Sequence, residues 1–148
     1  MADIPMTEKV RTAIDANLLI AAWSAKGSHY AQALGVLEAP NRQLIVSDAL
    51  WLKVMPKATF HHQEAECQFY EAVFAQAENR SWSSAIVEDA KTLAKNYGLA
   101  AMDAIHLAIA IDAQADEFIS GEKPTKPMFR VVEIRAISLW QMPAERSR

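Results

Sequence analysis

"AMDAIHLAIAIDAQADEFIS", residues 101–120, changes period partway along. From Ala101 to Gln114 it is apolar almost all round, interrupted by Asp103, His106 and Asp112, so it is expected to be a central helix. "DEFIS", Asp116–Ser120, follows at once and reads as a short strand. A central helix feeding directly into a strand is the repeating unit of an α/β domain.

The rest of the chain extends that alternation. "VRTAID" reads as a strand ending in Asp15, followed by a helix "ANLLIAAWSAKG" closed by Gly27. "SHYAQALGVLEAP" is a second helix, with Ser28 as its N-cap and Pro40 as its stop. "RQLIVS", Arg42–Ser47, is a β-branched strand, and Ser47 caps the helix that carries Lys53. From His61 to Asn79 apolar residues such as Phe69, Val73 and Phe74 recur at helical spacing, with Glu64, Glu71 and Glu78 as a solvated stripe. Ile86, Ala90, Leu93, Ala94 and Tyr97 repeat the pattern, and Gly98 stops it. A stiff turn, "GEKPTKP", then joins "DEFIS" to a last strand within "VVEIRAISLW".

No repeat, low-complexity tract or linker interrupts the 148 residues, so a single domain over 1–148 is expected. Strands separated by helices imply a three-layer α/β/α arrangement around a mostly parallel sheet. Ligands of such sheets bind beyond the carboxyl ends of the strands. That rule selects Asp15, Ser47 and the run Ser120, Gly121, Glu122.

Composition narrows the class. Half of the residues are hydrophobic and four are glycine, which excludes a disordered or fibrous chain. The single cysteine, Cys67, excludes an internal disulfide and fits a reducing compartment. No apolar run approaches the roughly 18 residues of a membrane helix, and "MADIPMTEKVR" is too acidic for a secretory signal. A cytoplasmic protein with no membrane contact is expected. A net charge of −3 disfavours broad affinity for nucleic acid but leaves room for a local basic patch, such as Lys123, Lys126 and Arg130.

The polar residues that interrupt apolar surroundings have two readings each. Asp103 is either an ordinary first-turn aspartate favoured by the helix dipole or a carboxylate kept for chemistry. Asp15 is either the N-cap of "ANLLIAAW" or a metal-binding carboxylate. His106 shares a face with Asp103 and is expected to hydrogen-bond a neighbour in preference to binding metal. His61 and His62 belong in a loop, Cys67 lacks an activating base, and the four tryptophans are expected in the core. Acids gathered at one sheet edge repel unless a cation is present, and hard oxygen ligands suit Mg²⁺ or Mn²⁺. Such an ion activates water and clamps a phosphate.

"AIDANLLIAAW", "VSDALWLKVMPKAT", "YGLAAMDAIHLAIAIDAQADEFISGEKPTKP" and "RVVEIRAISL" together resemble a PIN domain, in order and over essentially the whole chain. The resemblance implies a small α/β domain, often homodimeric. Many members are Mg²⁺- or Mn²⁺-dependent ribonucleases, including VapC-type toxins with a separate antitoxin protein. Carried over by residue, it makes Asp15, Asp103 and Glu122 the metal-binding acids, with Glu122 where aspartate is usual. Asn17 and Ser120 match positions beside the site, and Lys123 is a candidate phosphate contact. The family's second acid, a glutamate in the helix after strand two, aligns with Lys53.

A lysine there replaces a negative charge with a positive one. An ammonium about 4 Å from a carboxylate interacts by roughly 4 kcal/mol at an effective dielectric near 20. It would pair with Asp15 and Asp103 and oppose the ion, leaving a salt-bridged remnant. Alternatively Lys53 snorkels into water along its stem. Two functions follow: a metal-dependent endoribonuclease acting on RNA, or an inactive PIN-like module that binds RNA or a protein. A phosphoacceptor receiver domain also places acids and a lysine at a sheet edge, but "IDANLL" and "LIVSDAL" supply its acids poorly.

Overall fold

The computed structural model describes Pro5 and residues 8–144; most of the segment read for a leader, and the chain beyond 144, lie outside them. Five strands form one sheet: β1 (Val10–Ile14), β2 (Arg42–Ser47), β3 (Glu78–Arg80), β4 (Glu117–Ser120) and β5 (Arg135–Ser138). Their order is β3-β2-β1-β4-β5, and every pairing is parallel. The connecting helices are α1 (Ala16–Ser24), α2 (Tyr30–Glu38), α3 (Asp48–Phe60), α4 (Glu64–Gln76), α5 (Ser84–Tyr97) and α6 (Ala101–Asp112). Short 3-10 turns occupy Pro127–Arg130 and Leu139–Gln141.

Strand alternation divides the core in two. Ala13, Ile45 and Phe118 point to one face, where α5 and α6 cover them with Ile86, Leu93, Leu107 and Ile109. Their neighbours Ile14, Leu44, Val46 and Ile119 point to the other, beneath Leu18, Leu19, Val36, Leu50 and Tyr70 of α1–α4. This is the expected three-layer α/β/α domain. From Ala104 to Ala110 every residue of α6 is buried, in agreement with its apolar sequence.

Several local expectations are corrected. α1 closes at Ala25, whose φ of 58° supplies the left-handed stop assigned to Gly27. His29 precedes α2 in place of Ser28, and its side chain makes no capping bond. α4 ends at Gln76, before the predicted Asn79, because Asn79 Nδ2 donates to the carbonyls of Phe74 and Ala77. Glu78 belongs to an edge strand, where Arg11 grips its carboxylate at 2.9 and 3.0 Å. The helix period there concealed a strand too short to show a period of its own. His61 and His62 lie between α3 and α4, as expected. Trp23, Trp51, Trp82 and Trp140 are 38, 45, 37 and 49 % exposed, so none is a core residue.

Ser47 and Gly98 behave as read: Ser47 Oγ accepts the Leu50 N–H, and Gly98 closes α5 at φ 68°. At the amino end of β4, buried Glu117 accepts from Thr12 Oγ1 at 2.7 Å and Arg42 Nε at 3.0 Å. That network satisfies a buried charge far from the carboxyl edge.

Candidate functional site

The chain runs outward from β1 through β2 to β3, then returns to place β4 on the other side of β1. This reversal opens a crevice at the carboxyl edge. Ile14 pairs with Ile119, so the next residues, Asp15 and Ser120, emerge side by side. Ser120 Oγ donates to Asp15 Oδ2 at 2.5 Å. Asp15 Oδ1 accepts the N–H of Leu18 at 3.0 Å and of Gly121 at 3.1 Å. Asp15 therefore caps α1 and presents a carboxylate to the edge at once. Burial pushes its pKa up, against the pull of these three donors, and the charge of Glu122 adds to the rise.

Gly121 is required by close approach. A Cβ there would lie 2.7 Å from the backbone carbon of Asn17 and 2.9 Å from its oxygen. The contact presses the first turn of α1 against the end of β4 and brings Asn17 to Glu122. The Asn17 amide donates to one Glu122 carboxylate oxygen, and Lys126 Nζ stands 3.8 Å from the other. The Glu122 N–H donates to Ser120 Oγ at 2.9 Å, and Ser138 Oγ donates to the Glu122 carbonyl at 2.6 Å.

Asp103 enters from the first turn of α6. Burial raises its pKa, Lys126 lowers it, Glu122 raises it, and Lys53 lowers it again; no hydrogen bond contributes. The structure thus gathers Asp15, Asn17, Ser120, Glu122 and Asp103 around one edge. Lys123 is exposed in the adjoining turn, where its carbonyl accepts the Lys126 N–H at 3.2 Å.

Lys53 does not form the expected salt bridges. It is exposed on α3 and makes no ion pair with Asp15 or Asp103 among the described residues. With Lys57 and His61 it follows one face of α3 along a groove of about 340 Å³ that Glu66 and Tyr70 close from α4. There the ammonium keeps its water, and its field still reaches Asp103 and His106. His106 also departs from expectation: it is 6 % exposed, and its Nε2 has no hydrogen-bond partner among the described residues. Burial, aided by Lys53, pushes its pKa down to about 4, so it is neutral at pH 7.

Sequence reasoning reached the acids but missed the roles of Gly121, Ser138 and Trp140. Gly121 directly after a strand's last residue was the one available signal. The other two act through backbone groups brought near by folding.

A family model described as PIN domain matches residues 12–123, and the chain belongs to the PIN domain family. No curated protein matches it in sequence. Among solved structures it is similar to a toxin–antitoxin complex from Klebsiella pneumoniae, with a TM-score of 0.69 and 26% identity over 88% of this chain and 99% of that one. It also resembles VapBC2 from Rickettsia felis bound to a DNA fragment from their promoter, at a TM-score of 0.67 and 14% identity, covering 87% and 98% of the two chains. A third likeness is to VapC20 of Mycobacterium tuberculosis, a sarcin–ricin-loop-cleaving toxin, at 0.59 and 12% over 84% and 98%. The last two identities show the fold alone.

The side chains present do not fit a resident divalent ion in this arrangement. Among the described residues no group of three or more His, Cys, Asp or Glu is placed to hold one. Asp15 Oδ1 already accepts two N–H groups, and Glu122 is held by Asn17 and Lys126. The positive charge felt by Asp103 comes from Lys126 and Lys53. No helix among the described residues is long and apolar enough to cross a membrane.

Proposed function

We propose that this chain is a toxin-type PIN protein that engages RNA phosphodiesters at the carboxyl edge of its sheet, with a degenerate metal site. Asp15, Asp103 and Glu122 are its acids, Asn17 and Ser120 position two of them, and Lys53, Lys123 and Lys126 are the phosphate contacts. Lys53 stands where the family carries a metal-binding glutamate. The observation that supports this most is that the edge carboxylates are held by the protein's own donors, Asp15 by Ser120, Leu18 and Gly121 and Glu122 by Asn17 and Lys126. The toxin–antitoxin likenesses support a small antitoxin protein as partner, and the resemblance supports a homodimer.

The test is binding of a fluorescent single-stranded RNA across a salt series, with wild type and Lys53→Gln. Removing one phosphate contact weakens binding for all sequences and lowers the logarithmic salt slope by about 0.7. An unchanged slope contradicts the assignment. Size-exclusion with light scattering tests the homodimer.

A second reading, a Mg²⁺- or Mn²⁺-dependent endoribonuclease, is favoured by one observation. Asp103 is part-buried at the edge and, among the described residues, makes no side-chain hydrogen bond, so it is the one acid of the three not already committed to protein donors. RNA cleavage that requires Mn²⁺ and is lost in Asp15→Asn would establish it.

A further inference from the structure

Trp140 stands at the rim of this edge with no part in the acidic cluster. Its indole Nε1 donates to the Gly121 carbonyl at 3.1 Å, while the N–H of the same Gly121 donates to Asp15. One residue therefore links an aromatic ring to the most buried carboxylate of the site. The ring is fixed from three sides. Its backbone N–H donates to Ser138 Oγ at 3.1 Å, and Ser138 in turn holds the Glu122 carbonyl. His29 lies almost parallel to the indole, centroids 5.1 Å apart and planes 10° apart. His29 makes no capping bond on α2; its Nδ1 instead lies 3.2 Å from Ser28 Oγ, which steadies the imidazole against the indole. Gln32 Nε2 adds a bond from α2 to the Met142 carbonyl at 3.3 Å, tying this segment down beyond the ring.

Despite these restraints Trp140 is 49 % exposed. His29 stacks on the ring, Gly121 holds its Nε1 edge, and about half of the residue stays open to solvent. An immobilised, half-open indole beside a phosphodiester site is a stacking surface, since every nucleobase offers a π-face and the ring loses no further freedom on binding.

We propose that Trp140, backed by His29, is a nucleobase platform that stacks a base next to the phosphate held by the lysines of this edge. This rests on the RNA-binding reading above and adds the base contact to it. A base-stacking surface carries little sequence preference, so the platform positions single-stranded RNA without reading it.

The experiment measures fluorescence anisotropy of two labelled probes in EDTA: a short single-stranded RNA and an abasic ribose-phosphate chain of equal length. Wild type binds the base-bearing chain on the order of tenfold more tightly. Trp140→Ala abolishes that preference while abasic binding stays as in wild type. Trp140→Phe, which keeps a ring and loses the N–H, retains part of it, and His29→Ala weakens it. Equal binding of both probes by wild type overturns the platform and leaves the RNA reading standing, with no variant needed. Loss of affinity for both probes alike in Trp140→Ala also overturns it, since the tryptophan is then a structural support. Binding of neither probe overturns both readings.

Discussion

Ser120 Oγ and Asp15 Oδ2 meet at 2.5 Å across the seam between β4 and β1, and both side chains are buried. Ser120→Ala removes one of three donors to a carboxylate that burial already disfavours. A loss of about 1–3 kcal/mol at neutral pH is expected in urea unfolding. Because the folded pKa of Asp15 is raised, its contribution is present below the ordinary carboxylate range and is lost as pH rises through the folded value. The variant raises that pKa further, so the decline extends to higher pH. An unchanged stability profile would show that the bond contributes nothing.

Gly121→Ala puts a methyl group where the Asn17 backbone stands, 2.7 Å away. Neither neighbour is the end of a flexible side chain, so α1 or the end of β4 must move. About 1–3 kcal/mol of destabilisation is expected, seen as a fall in Tm, together with weaker RNA binding. Gly27→Ala, whose nearest contact is Ser24 Oγ at 3.6 Å, serves as the tolerated control.

His106 ties stability to acid. Its folded pKa of about 4 lies below the ordinary 6.5, so the unfolded chain takes up the proton first. Its contribution is complete above the unfolded value and disappears as pH falls from there toward 4. The decline should approach about 3 kcal/mol. His106→Leu removes the buried Nε2 that lacks a partner and should flatten the profile between these limits. A profile that His106→Leu leaves unaltered would place the acid sensitivity elsewhere.

Arg11 bridges the centre of the sheet to its edge, with Glu78 at 2.9 and 3.0 Å and the Ala113 carbonyl at 2.7 Å. Glu78 is held below the ordinary carboxylate range chiefly by the Arg11 hydrogen bond, so its contribution is retained above that range and lost as pH falls through the lowered value. Both side chains are about 30 % exposed, so Glu78→Gln should cost no more than about 1 kcal/mol. Faster amide exchange in β3, with β4 unaffected, is the expected signature.

The three-layer fold was legible because its strands and helices carry different periods. β2 emerged with its observed bounds, and α6 declared its burial through its composition. β3 stayed hidden because its ENR sequence has no apolar pattern and is held by charges from Arg11 and Asp112. Asp15, Asp103 and Glu122 were legible as polar residues at strand and helix ends. The orientation of Lys53 was not, since a helix face alone does not decide whether an ammonium pairs or stays hydrated. Nor was the exposure of Trp140, whose place depends on Gly121 and His29 from distant parts of the chain.

The most direct measurement is a calorimetric Mn²⁺ titration of wild type, Asp15→Asn, Lys53→Glu and the double variant Asp15→Asn/Lys53→Glu. If Lys53 has taken the place of a metal-binding carboxylate, wild type shows no binding heat. Lys53→Glu then binds in the micromolar to low-millimolar range, and adding Asp15→Asn abolishes it. Saturable Mn²⁺ binding by wild type that Asp15→Asn removes would contradict this account and make the edge a working metal site.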